Sequence, residues 1–181
     1  AGELRLLMLA VALAVAALTS VGFFSDRLQS GLQRDARQLL GGDVVLVSDQ
    51  PPAAAWLQQA RADGLQGVQT LNFPTMGRAA DAQGGATRLV GLKAVAAGYP
   101  LRGQMRLAQA VGDLEGQPTR AIPAPGQAWV DPALLDALNV KLGDTLLLGD
   151  ASLQISQLIA QEPDRGSGFM SFAPRVMIGE A

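Results

Sequence analysis

"LRLLMLAVALAVAALTSVGFFSDRLQSGLQRDARQLL", residues 4–40, is the stretch on which the reading of the rest depends. The twenty residues from Leu6 to Ser25 carry no charge, and at about 1.5 Å rise each they make a helix of roughly 30 Å, the hydrocarbon thickness of a bilayer. Charges then arrive every few residues, with no proline to stop the helix. Phe24, Leu28, Leu32, Ala36 and Leu39 recur at three- and four-residue spacing, while Asp26, Arg27, Gln33, Arg34, Asp35 and Arg37 fill the rest of the turn. Gly31 weakens such a helix by about 1 kcal/mol relative to alanine, and Gly41-Gly42 is a natural stop. The spacing predicts one continuous helix: transmembrane over residues 4–25, then an amphipathic stalk over 26–40. Phe24, Leu28, Leu32, Ala36 and Leu39 form its candidate coupling face. A bland anchor more often ends in a flexible Gly/Ser/Pro linker, whereas a rigid stalk transmits position or force.

Three readings compete for the apolar half. A buried core helix does not suit a run that is apolar on every face in a chain of this size. A signal peptide has possible cleavage residues in Ala14, Ala16 and Ala17 but no n-region. The transmembrane helix is the favoured reading. Its orientation does not follow from charge, because Arg5 on one flank faces Arg27, Arg34 and Arg37 on the other.

Outside the helix, composition excludes more than it selects. The chain has 14 basic and 16 acidic residues mixed along its length, a net charge of -2, so no basic stripe exists to displace counterions from a nucleic acid. Cysteine and histidine are both absent, which removes disulfides, Cys/His metal sites and His-dependent triads. No GxxxxGK[ST] or strand-GxGxxG-helix pattern occurs, and no DxDxDG calcium loop. Lys93 and Lys141 are the only lysines and belong to no SxxK motif. Lys93 is expected to be a solvated strand residue, and Glu162 with Asp164 to form an ion pair with Arg165 at a turn. Trp56, Trp129, Phe169 and Phe172 are expected in the core. The expectation is no catalytic residue, no cofactor and no metal site.

The remaining 43–181 predicts a mixed helix and strand domain. "DVVLVSD", residues 43–49, reads as a buried strand, and a helix follows Pro51-Pro52 and stops at Gly64. "LQGVQTLNFPTMGRAA" and "GATRLVGLKAV" read as an antiparallel pair around "DAQGG", with Pro74 at an edge or bulge. Residues 98–126, dense in Gly and Pro, read as a surface excursion near a boundary between two lobes. Asp131 and Pro132 open a short helix with Leu134, Leu135 and Leu138 inward. A hairpin turns at Gly149-Asp150 with a bulge near Gln157, and "APRVMI" is a last strand. The fold class is α+β.

These stretches also carry a resemblance. "LRLLMLAVALAVAALTSVGFFSDRLQSGLQRDARQLLGGDVVLVSD", "VGLKAVAAGYPLRGQMRL" and "PAPGQAWVDPALLDALNVKLGDTLLLGDASLQISQLIAQEPDRGSGFMSFAPRVMI" make the chain resemble the FtsX/MacB-like permeases of ABC transporters, most closely the YbbP type. The resemblance implies a first transmembrane helix, a stalk and a MacB-like periplasmic core domain, with further membrane helices beyond Ala181. It implies a bacterial inner-membrane location with the C-terminal domain in the periplasm, and a noncatalytic subunit working with a cytoplasmic ABC ATPase. It also implies mechanotransmission, contact with membrane lipid, a hydrophobic or lipid-like substrate, and association with a periplasmic esterase or lysophospholipase. Two other classes stay open on the residues alone: a single-span membrane-anchored binding or sensor domain, and a hydrolase secreted after signal cleavage.

Overall fold

The computed structural model describes residues 2–39, 41–166 and 172–180; of residue 30 and residues 32–39 it describes the backbone alone. The chain forms two compact units, Ala1–Arg37 and Gln38–Ala181.

The first unit is helix α1, which runs from Gly2 to Leu39 as 38 uninterrupted residues, about 57 Å at the usual rise. Its stretch Gly2–Gln29 is long and apolar enough to cross a membrane. Large apolar side chains from Leu4 to Leu28 all lie exposed. Among the described residues nothing covers this apolar surface. Thr19 Oγ1 donates to the Val15 carbonyl at 2.8 Å and Ser20 Oγ to that of Ala16 at 2.7 Å, so both hydroxyls are satisfied inside the helix. Hydrocarbon requires that of any polar group within it. Where charge begins, the Arg27 guanidinium lies over the Phe23 ring, 4.8 Å from its centroid.

Among the described residues the second unit is built on eight strands. In chain order these are helix α2 (Ala54–Ala62), β1 (Thr70–Ala79), β2 (Thr87–Val95), β3 (Met105–Ala108), β4 (Gln117–Thr119), β5 (Gln127–Val130), α3 (Pro132–Leu138), β6 (Thr145–Leu148), β7 (Ala151–Gln161) and β8 (Arg175–Gly179). The strand order is β4-β3-β7-β5-β8-β2-β1-β6, and β6 pairs back onto β7. That last pairing closes six strands into a ring, with β3 and β4 continuing from β7. β2 with β8 and β5 with β7 are parallel; the other pairs are antiparallel. The architecture is α+β.

Local chemistry accounts for several elements. The antiparallel β1–β2 pair turns at Asp81–Gln83, a short 3₁₀ turn closed by Gly84 in the left-handed region. Pro74 sits opposite Gly91, whose N–H points the other way, to the Pro174 carbonyl. Pro74 therefore faces the side of β1 that β6 does not reach, since β6 pairs only with Gly77–Ala79. A strand tolerates proline at such an open edge. β6 and β7 form the hairpin expected around Gly149-Asp150, and β7 bulges at Ser156, where Ala128 and Trp129 face Ile155 and Gln157. α3 starts at Pro132, closes at Asn139 with φ 52°, and buries Leu134, Leu135 and Leu138.

Four expectations are corrected here. Residues 43–49 form no ladder: Val44, Val45, Leu46 and Val47 are all exposed. β-Branched residues favour a strand only where a partner edge and a covering layer exist. Asp131 precedes α3 but makes no side-chain cap; its Oδ2 accepts from Arg165 Nη2 at 2.6 Å. A guanidinium is the stronger partner for a carboxylate than a backbone N–H. Trp56 and Phe172 are exposed, while Trp129 is core; Phe169 lies outside the described residues. Residues 98–126 contribute β3 and β4 to the common sheet.

The central strands are buried on both faces. Val90, Leu92, Ala128, Val130 and Val176 join the α3 leucines in one cluster. Val95, Trp129 and Met177 join Tyr99, Met105 and Ile159 in another. Strands covered on both sides read as continuous apolar runs, as "VGLKAV" does. In the β3–β4 connection the Asp113 carboxylate accepts N–H bonds from Gln109 and Gly116, which lower its pKa below the ordinary value. Gly116 has φ +57°, and an added Cβ would lie 2.7 Å from that of Ala160 and 2.8 Å from the Leu107 carbonyl oxygen. Gly116→Ala is expected to destabilise the domain by about 2 kcal/mol, from left-handed strain and overlap together. Urea unfolding followed by Trp129 fluorescence checks it; a change inside the surface-substitution range of about 0.5 kcal/mol would show that the loop yields.

Candidate functional site

Two features of this fold invite a function: the emerging helix and a knot of charges inside the domain. On the helix, Phe24 and Leu28 are exposed; the side chains of Leu32, Ala36 and Leu39 lie outside the described residues.

The knot centres on Lys93, which β2 places on the face shared with Val95, Trp129 and Met177, opposite Met177 of β8 in register. Its side chain is 1% exposed. Nζ lies 2.8 Å from Tyr99 Oη, 2.8 Å from Glu162 Oε1 and 2.6 Å from Asp164 Oδ1. Three neighbours use the three protons an ammonium can donate. Nζ also lies 4.4 Å from the Tyr99 ring centroid. Tyr99 Oη in turn donates to Asp164 Oδ1, and Glu162 Oε2 accepts from Arg175 Nε at 2.8 Å.

Lys93 and Arg175 thus meet Glu162 and Asp164, and the cluster is neutral as a whole. Burial pushes the Tyr99 phenol well above its ordinary pKa, with the Asp164 charge and hydrogen bond adding to the shift and Arg175 opposing it. Tyr99 therefore keeps its proton and remains the donor to Asp164. Removing that hydroxyl by Tyr99→Phe is expected to cost about 1–2 kcal/mol, the price of two charged groups losing a buried partner. Thermal unfolding measures it, and an unchanged midpoint would show that water replaces the phenol.

Lys93 was expected in solvent, and Glu162 with Asp164 in an ion pair with Arg165 at a turn; Asp164 does lie in a turn after β7, but the solvated lysine and the pairing with Arg165 are overturned. Arg165 pairs with Asp131, and the two acids hold Lys93 and Arg175 instead. The reason is topological: β3, β7 and the Tyr99 loop cover the face of β2 that an isolated strand would leave wet. The partners stand 69 and 71 residues from Lys93 in sequence, beyond any local pattern. Chemically, an ammonium whose protons are all committed to fixed acceptors holds elements together.

Asp164 is the least buried acid of the knot, with 22% of its side chain exposed. Its other neighbour is Gly41, where an added Cβ would lie 3.2 Å from Asp164 Cβ and Cγ. Gly41 and Gly42 are buried, and the Arg102 N–H donates to the Gly41 carbonyl at 2.9 Å. The Arg102 guanidinium grips Asp43 with Nη2 at 2.7 Å and Nε at 3.1 Å. The segment that follows α1 is therefore seated on the charged knot.

No family model matches the chain. It is 36% identical over 179 residues, 99% of its length, to YbbP of Escherichia coli (strain K12), described as an uncharacterized ABC transporter permease. Over nearly its whole length the chain is thus similar to one segment of that permease. It spans about a fifth of that relative's length, 21%. In this segment α1 carries the stretch long and apolar enough to cross a membrane, and the domain of strands follows it in the chain.

Proposed function

We propose that the segment supplies the first membrane span, stalk and first extracytoplasmic domain of a permease subunit, over residues 4–25, 26–40 and 43–181. It couples ATP hydrolysis by a separate cytoplasmic ATPase to movement of that domain, on the periplasmic side of the inner membrane. The subunit is noncatalytic and handles a hydrophobic or lipid-like substrate, with a periplasmic esterase or lysophospholipase as a partner. The kinship with a permease supports the setting. The observation that carries the coupling is the helix itself: the apolar stretch ends at Gln29, yet α1 continues to Leu39. The extra ten residues extend it by about 15 Å with no hinge.

The test uses the full-length permease with its ATPase in vesicles. A fluorophore on a cysteine introduced at Asp150, in the exposed β6–β7 turn, reports energy transfer to an acceptor dye in the bilayer. ATP is expected to change that transfer. Leu32→Asp, which places a charge on the apolar stripe, should reduce the change severalfold, whereas Gln33→Asp on the polar side should leave it nearly intact. Equal responses from the two variants would show that the face from Phe24 to Leu39 does no coupling.

A further inference from the structure

Between α1 and β1 the chain meets the rest of the domain near its two ends, at 41–43 and again at Val68 and Gln69 just before β1. From Val44 through Leu65 no residue is buried, and α2 buries none of its side chains. Gly41 and Gly42 are buried, so among the described residues the chain after α1 is first held at 41–43. We infer that Gly41, Asp43 and Arg102, backed by Asp164, form the joint through which force on α1 reaches the sheet.

The joint rests on the coupling reading above and specifies where the load enters. Arg102 holds two points of the exit at once, the Gly41 carbonyl through its N–H and the Asp43 carboxylate through its guanidinium. A bidentate guanidinium pair resists rotation as well as separation, because two parallel bonds fix orientation. Behind Gly41, Asp164 is held by Lys93 of β2 and by Tyr99, and Lys93 is tied through Glu162 to Arg175 of β8. β2 and β8 are adjacent parallel strands at the middle of the sheet. Gly41 thus packs against a carboxylate that charge-assisted bonds tie to two central strands, and its own carbonyl is held by the Arg102 N–H. Glycine is needed for this contact: φ is +67°, and any Cβ would push against the Asp164 side chain.

Gly41→Ala and Arg102→Ala test the joint in the full-length permease with its ATPase, using the Asp150 label and hydrogen exchange together. Gly41→Ala is expected to lower protection of the Arg102 amide about tenfold, the equivalent of a non-glycine residue forced into the left-handed region. The ATP-driven change at Asp150 should fall severalfold in both variants, while the thermal midpoint of the domain stays near that of the unaltered protein. Arg102 is a surface residue, so its variant keeps the test valid if Gly41→Ala folds poorly. A full ATP response in both variants overturns the joint and leaves the coupling reading standing. An unchanged Arg102 amide in Gly41→Ala overturns the seat itself. If the unaltered permease shows no ATP response at Asp150, the coupling reading fails and the joint with it.

Discussion

Lys93→Met is expected to destabilise the domain by about 3 kcal/mol, at the lower end of the range for breaking a buried ion pair. The size follows from what is left behind. Without the ammonium, Glu162 keeps Arg175 and Asp164 keeps Tyr99, but two carboxylates then face one guanidinium in a site where Lys93 and Glu162 were almost fully enclosed. Asp164 can turn its exposed edge to water, which limits the penalty. For a domain of this size about 3 kcal/mol lowers the thermal midpoint by roughly 6–12 °C, a large share of the 5–15 kcal/mol typical of a folded domain. Asp164→Asn combined with Lys93→Met restores neutrality, so the pair should lose less than the sum of the single changes, with a coupling of about 1–2 kcal/mol. Lys141→Met, on the exposed segment after α3, is the control and should be almost silent. Urea unfolding read by Trp129, which lies in the cluster beside Tyr99 and Met177, decides it. Additive costs would mean the charges are held separately and do not act as a unit.

Lys93 also marks where sequence reading stops. The elements fixed by local chemistry are legible in the residues. The α1 rod follows from twenty uncharged residues and an in-phase stripe, the β1–β2 and β6–β7 pairs from the turn residues between them, and α3 from Pro132 and three leucines. "VGLKAV" shows a lysine inside an apolar run, and that interruption was the available signal. A charge with no polar neighbour along its strand either faces water or needs a buried counter-charge. Choosing between these requires knowing that residues 98–108 fold over that face, which is a long-range fact. Arg165 misled for the complementary reason: it is the cation nearest to Glu162 and Asp164 in sequence, while the fold gives it to Asp131. The exposed "VVLV" of residues 44–47 shows the same limit from the other side. Its propensity for strand is real, but among the described residues it pairs with no strand edge and no layer covers it.

Inserting Gly-Ser-Gly-Ser between Phe24 and Leu28 is expected to abolish the ATP-driven change at Asp150 without unfolding the domain. Each glycine costs about 1 kcal/mol in a helix, and two of them with two serines in succession are enough to make a hinge. The strands and both core clusters belong to residues 38–181 and lie outside the insertion, so the unfolding midpoint should not move. Seven alanines at the same point are the opposing control. They lengthen the rod by about 10 Å but turn it through nearly two whole turns, so the face from Phe24 to Leu39 stays within roughly 20° of its phase. A coupled stalk keeps most of its response with the alanines and loses it with the flexible insert. A single-span binding or sensor domain, the other class compatible with the same apolar run, tolerates both. The two insertions are therefore read against each other: a difference requires stiffness in α1, and equal function in both reduces the stalk to a tether.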